Sequence, residues 1–97
     1  MTAPPLSVQL GLDDLLGDLH HARRQGDLGR LALLAYCEVR RWARQAGELA
    51  LAEHSTEMFT EHPHASRDEF LHMVDGLIAE LTQARSQLLR RQELSTS

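Results

Sequence analysis

Six histidines in a 97-residue chain of net charge −4 raise metal binding first, because imidazole and carboxylate together suit zinc, nickel or iron. Glu69-Phe70-Leu71-His72 has the Glu-x-x-His spacing of carboxylate-bridged di-iron bundles. Asp18-Leu19-His20-His21 is its candidate partner. Helical geometry rejects the pairing. At about 100° per residue, Glu69 and Asp18 lie about 100° from the apolar stripes of their own segments, and His72 and His21 fall on the far side. Groups that point to water on separate helices do not converge on one ion. The run Glu61-His62-Pro63-His64, with His54 and Glu57 a turn or two earlier, reads as solvated loop histidines. No resident metal is expected.

Nucleophilic catalysis needs a Cys or Ser beside a base held by a third group. Cys37 is the one cysteine, sits among leucines and has no histidine one turn away, so it is expected to behave as a small buried hydrophobe. No glycine-rich phosphate loop, Cys-x-x-Cys pair or dinucleotide fingerprint is present. The sequence therefore predicts a protein that is not an enzyme and has no cofactor.

Arginine is the remaining functional candidate. All ten basic residues are Arg, Asn is absent and Ile78 is the single isoleucine. This is the codon bias expected of a GC-rich, bacterial genome, and it weakens any functional reading of Arg abundance. Arg23, Arg24, Arg40, Arg41, Arg44, Arg90 and Arg91 fall toward the ends of helical segments, where they complement the helix dipole without a ligand. One segment stands out. Between Leu28 and Ala46, Arg30, Arg40, Arg41 and Arg44 share a face with Leu33, Leu34 and Cys37, and no acid interrupts them there. On a helix these seven lie away from the stripe of Leu28, Leu31, Ala32, Ala35, Val39, Trp42 and Ala46. A helix apolar on two faces is buried twice or touches a partner. The seven residues are the expected partner-binding set, the rival reading being packing within one chain under snorkelling arginines.

The elements that would position this face follow from periodicity. Leu12, Leu15, Leu16, Leu19 and Ala22 recur at helical spacing. Gly26 ends that helix, and Asp27 caps the next. The motif Ala-Arg-x-x-Gly-acid-Leu occurs at residues 22–28 and again at 43–49, so if the first copy is a helix-to-helix turn, the second is expected to be one too. The competing reading is a single long helix kinked at Gly47. Pro63 interrupts the third segment. Ser66 and Glu69 then form a capping box. The last stripe is Phe70, Val74, Leu77, Leu81, Ala84 and Leu88.

These signals predict an all-α, small antiparallel helical bundle of four helices, or three if Gly47 only kinks the chain. The expected helices span residues 9–25, 28–46, 48–60 and 67–91, with a flexible tail at 1–8, a single bundle domain over 9–91 and a frayed end at 92–97. No apolar run reaches the 18 or so residues of a membrane span. A lone cysteine and the absence of an apolar leader point to the cytoplasm.

The function expected is a non-enzymatic protein–protein interaction module, an adaptor or small regulator. Its partner would be a second copy, in a homodimer, or another helical protein. A bundle of this size has little stability to spare, and pairing through the second face of the central helix and part of the last one would bury Leu33, Leu34 and Cys37. Glu38, Asp75 and Glu80 could meet Arg40, Arg41 or Arg44 across that contact. The alternative is a nucleic-acid-associated regulator using the same arginines, against which the net charge of −4 argues.

Overall fold

A computed structural model of the chain describes residues 6–61 and 66–96. Among them it contains four helices and no strand: α1 over Leu6–Gln25, α2 over residues 28–46, α3 over Leu49–Glu61 and α4 over Arg67–Thr96. The bundle measures 47 × 25 × 17 Å. α1 packs against α2 and α4, and α3 packs against the same two, so α2 and α4 sit on a diagonal. The ion pairs Arg23–Asp75, at 2.9 Å, and Arg85–Asp13 step in opposite directions along α1 and α4, which makes that pair antiparallel.

Both copies of the repeated motif are turns of one geometry. Gly26 and Gly47 have φ of 66° and 77°, the left-handed region where a side chain is strained. The Asp27 N–H donates to the Ala22 carbonyl at 3.0 Å, and the Glu48 N–H donates to that of Ala43 at 2.8 Å. The Gly26 and Gly47 N–H groups donate to Arg23 and Arg44, each at 3.3 Å. These are paired Schellman closures, and Gly47 breaks the helix. Asp27 Oδ1 then accepts from the Arg30 N–H at 3.1 Å and caps α2. A Cβ added at Gly47 would meet nothing within 4 Å. Gly47→Ala therefore costs only the backbone term, about 1–2 kcal/mol, and thermal melting followed by circular dichroism should fall by roughly 4–16 °C.

At the start of α4, the Glu69 N–H donates to Ser66 Oγ at 3.2 Å, and Glu69 Oε1 accepts from the same hydroxyl at 3.2 Å. The box is closed through the side chains. Two boundaries differ from the sequence expectation. Residues 6–8 are helical, and the Val8 carbonyl accepts a 2.9 Å hydrogen bond from the Trp42 indole, a contact that local periodicity does not reveal. α4 extends to Thr96, where the expected last helix ends at residue 91. His62, Pro63 and His64 lie outside the described residues.

α2 is not a uniform helix. Leu28–Leu33 and Val39–Ala46 are α-helical, and Leu34–Glu38 between them is π-helical. The Val39 N–H donates to the Leu34 carbonyl, one residue further back than in an α-helix. The Ala35 carbonyl, thereby deprived of its usual donor, accepts from the Ser55 hydroxyl of α3. Ser55 is fully buried. The inserted residue rotates everything after it. In an unbroken α-helix the buried side chains Leu31, Leu34, Ala35, Val39, Trp42 and Ala43 would spread over about 180°; withdrawing one residue at the π segment gathers them within about 120°.

The core so formed also takes Leu12, Leu15, Leu16, Leu19 and Ala22 from α1, Leu51, Ala52 and Met58 from α3, and Val74, Leu77, Ile78, Leu81, Ala84 and Leu88 from α4. Tyr36 of α2 meets Phe70 of α4 edge to face at 6.1 Å. Burial pushes the Tyr36 phenol above its ordinary pKa.

Candidate interaction groove between α1 and α2

α1 and α2 diverge enough at the surface to leave a groove of about 340 Å³. Its floor is Leu15, Leu34 and Trp42, all buried. Gly11 opens it. A Cβ at that position would stand 3.5 Å from Trp42 Cδ1, so a larger residue would cover the indole edge. One wall is acidic, with Asp14 and Asp18 of α1 both exposed. The other wall belongs to α2 and carries Arg30, Leu33, Glu38, Arg41 and Gln45.

The walls are only loosely tied to each other. Arg30 reaches Asp18 at 3.9 Å, both about half exposed, and Arg41 is held by Glu38 on its own helix at 2.7 Å. Asp14 has no ion-pair partner among the described residues. Solvent-exposed pairs of this kind contribute about 0–1 kcal/mol, so a partner's charge can displace them at little cost. Leu33 is 52% exposed on the rim, beside the floor rather than on it.

The seven residues expected to bind a partner are divided by the fold. Arg30, Leu33 and Arg41 form the groove's basic and apolar rim. Cys37 is exposed, which corrects the expectation of a buried thiol. Leu34 is 3% exposed and belongs to the intrachain core, because the π segment swings the core toward it. Arg40 is half-buried, and Arg44 turns toward α3. There it lines a second, shallower hollow of about 370 Å³ with Leu49, Ala52, Glu53, Thr56 and Glu57.

The carboxylates expected to serve a partner's arginines are all engaged within the chain. Glu38 holds Arg41, Asp75 holds Arg23, and Glu80 lies 2.8 Å from His54 Nδ1. Asp75 holds the Arg23 guanidinium further toward its charged form than usual, chiefly by hydrogen bonding. Nor can α2 and α4 offer one continuous face, since they are diagonal. The acids that α1 sets across the groove from Arg30 and Arg41 are Asp14 and Asp18. Their spacing from Gly11, three and seven residues on, puts them along one side of α1, but only the packing of α1 on α2 sets them opposite Arg30 and Arg41.

His20, His21, His72, Asp18 and Glu69 are all exposed, and among the described residues no three metal-ligating side chains come together. No described helix is long and apolar enough to cross a membrane. Compared with models of known families, with curated proteins and with solved structures, the chain matches none.

Proposed function

We propose that the chain is a non-enzymatic helical interaction module, an adaptor or small regulator, that engages a protein partner through the α1–α2 groove. The observation that supports this reading is the groove's build. It has a buried apolar floor with an indole at one end, an exposed leucine on the rim, and walls of opposite charge that are poorly paired with each other. An amphipathic helix lays its apolar side chains into such a groove and meets the walls with charges. The arrangement offers no nucleophile with an oriented base. A cytoplasmic setting fits the single reduced thiol. The nucleic-acid reading draws less support, because Arg30 and Arg41 each face a carboxylate, and these weaken the positive field that a phosphate backbone needs.

The test compares the full chain with its Leu33→Arg variant as baits in a lysate of the source organism. Leu33 is exposed, so the variant should keep the wild-type helical signal. A protein captured by wild type and lost with Leu33→Arg, the bait's own untagged copy included, is the expected result. Capture that is indifferent to Leu33→Arg overturns the groove as the working surface, and binding of duplex DNA that falls steeply with salt would favour the nucleic-acid reading instead.

A further inference from the structure

The occupant of the groove can be named from the surface beside it. Leu33, Cys37 and Arg41 are all exposed on α2, and Leu33 and Arg41 stand four residues before and four after Cys37. In an antiparallel meeting of two such ridges, a two-fold axis through Cys37 sets Leu33 of one copy against Arg41 of the other. The charges agree. A two-fold contact is self-complementary only if one patch supplies both signs, and here Arg41 of the ridge, with Arg30, lines the same groove as Asp14 and Asp18.

Resting on the reading of the groove as an interaction surface, we propose that its partner is a second copy of this chain. The two α2 helices run antiparallel about a two-fold axis through Cys37, and each ridge leans into the other's groove. Levels along the groove fit this placement. Asp18 stands beside Arg30, and Gly11 beside Trp42, so Asp14 lies between those two levels. With Cys37 on the axis, the partner's ridge places its arginine at position 41 level with Leu33, within reach of Asp14 and Asp18. It places its leucine at position 33 level with Arg41, next to the opening that Gly11 leaves above Trp42. At the ends, Arg30 of one chain approaches Arg44 of the other. Asp18 accompanies the first of these, and Glu53 and Glu57 share a hollow with the second, so neither end is a bare meeting of like charges.

The contact is charge-guided with a small apolar centre, so it is expected to be reversible and sensitive to salt. Leu33 and Arg41 are exposed, and changing them removes no core contact.

The experiment uses the full chain at tens to hundreds of micromolar. Light scattering after size exclusion should give twice the 10.9 kDa chain mass, and a short bis-maleimide should join Cys37 to Cys37. Arg41→Asp should weaken dimerisation at least tenfold and abolish the cross-link while leaving the circular dichroism unchanged. Adding Asp14→Arg to that variant should restore both, because the swapped charges again face each other across the axis. A monomer mass at the highest concentration overturns the proposal. So does a dimer in which Cys37 does not cross-link, or one indifferent to Arg41→Asp, or a double variant that stays monomeric. If the chain is monomeric while a different protein is still captured in a Leu33-dependent way, the interaction module survives and only the second copy is lost.

Discussion

Leu34→Asp is expected to unfold the protein, whereas Leu33→Asp is expected to leave it as helical as wild type. The two residues are neighbours of the same type, yet Leu34 is 3% exposed and Leu33 is 52% exposed. Truncating a buried leucine alone costs about 2–5 kcal/mol. Placing a carboxylate there adds the penalty of burying a charge with no partner, which is several kcal/mol more. A domain of this size has about 5–15 kcal/mol in total, so the sum is comparable with what is available. Leu33 sits on the groove rim, and a polar substitution there changes stability by no more than about 0.5 kcal/mol. Far-ultraviolet circular dichroism at 25 °C and neutral pH separates the two outcomes. A folded Leu34→Asp chain would mean that α2 is continuous α-helix and that Leu34 shares the outer face with Leu33. This single pair of variants therefore checks the π segment as well as the core.

Ser55→Ala is expected to have the second largest effect, out of proportion to the loss of one hydroxyl. Ser55 is wholly buried, and its Oγ donates to the Ala35 carbonyl, whose helical donor, the Val39 N–H, is engaged by Leu34. Removing the hydroxyl strands a buried carbonyl, at about 1–3 kcal/mol. For a domain of this length the melting temperature should fall by roughly 4–24 °C. Thr56→Ala and Thr82→Ala are the controls. Their hydroxyls also donate to carbonyls, those of Ala52 and Ile78 at 3.0 and 2.8 Å, but these lie four residues back on the same regular helix and are part of its ladder. Each control should move stability by no more than about 0.5 kcal/mol. A Ser55→Ala melt equal to that of the controls would show that the Ala35 carbonyl is satisfied without Ser55.

Both predictions depend on one feature of α2, and that feature explains where local reasoning about the groove went astray. Counting at a constant angle per residue, Leu34 groups with Leu33 and Cys37 on the outer side. The π segment withdraws one residue from the count, gathers Val39, Trp42 and Ala43 with Leu31 and Ala35 on the buried side, and brings Leu34 into the core. Nothing in the composition of Leu34–Glu38 announces a π turn. It is held by Ser55, twenty residues away in the chain, and a spacing argument within one helix contains no term for a donor on another. The same limit applies to the acids. Asp75 and Glu80 are indistinguishable by sequence from Asp14, and only packing decides that the first two are engaged within the chain while Asp14 borders the groove without an ion-pair partner among the described residues; Glu38 meets Arg41 three residues on within α2.

What the sequence determined by itself is everything that short-range physics controls. The scarcity of aromatics and the wealth of Leu and Ala dictated an all-helical chain, and helical spacing dictated the apolar stripes of α1 and α4. The motif at residues 22–28 and 43–49 specified two matching turns, because glycine alone accepts a left-handed φ without strain and the acid that follows begins the next helix. Ser66 and Glu69 marked the start of α4 for the same local reason. The tertiary structure decided which residues of α2 face out, which helix lies beside which, and hence that Asp14 and Asp18 stand across a groove from Arg30, Leu33 and Arg41. Those outcomes depend on contacts between residues far apart in sequence, where a single inserted residue or one buried hydroxyl redirects a whole helix face.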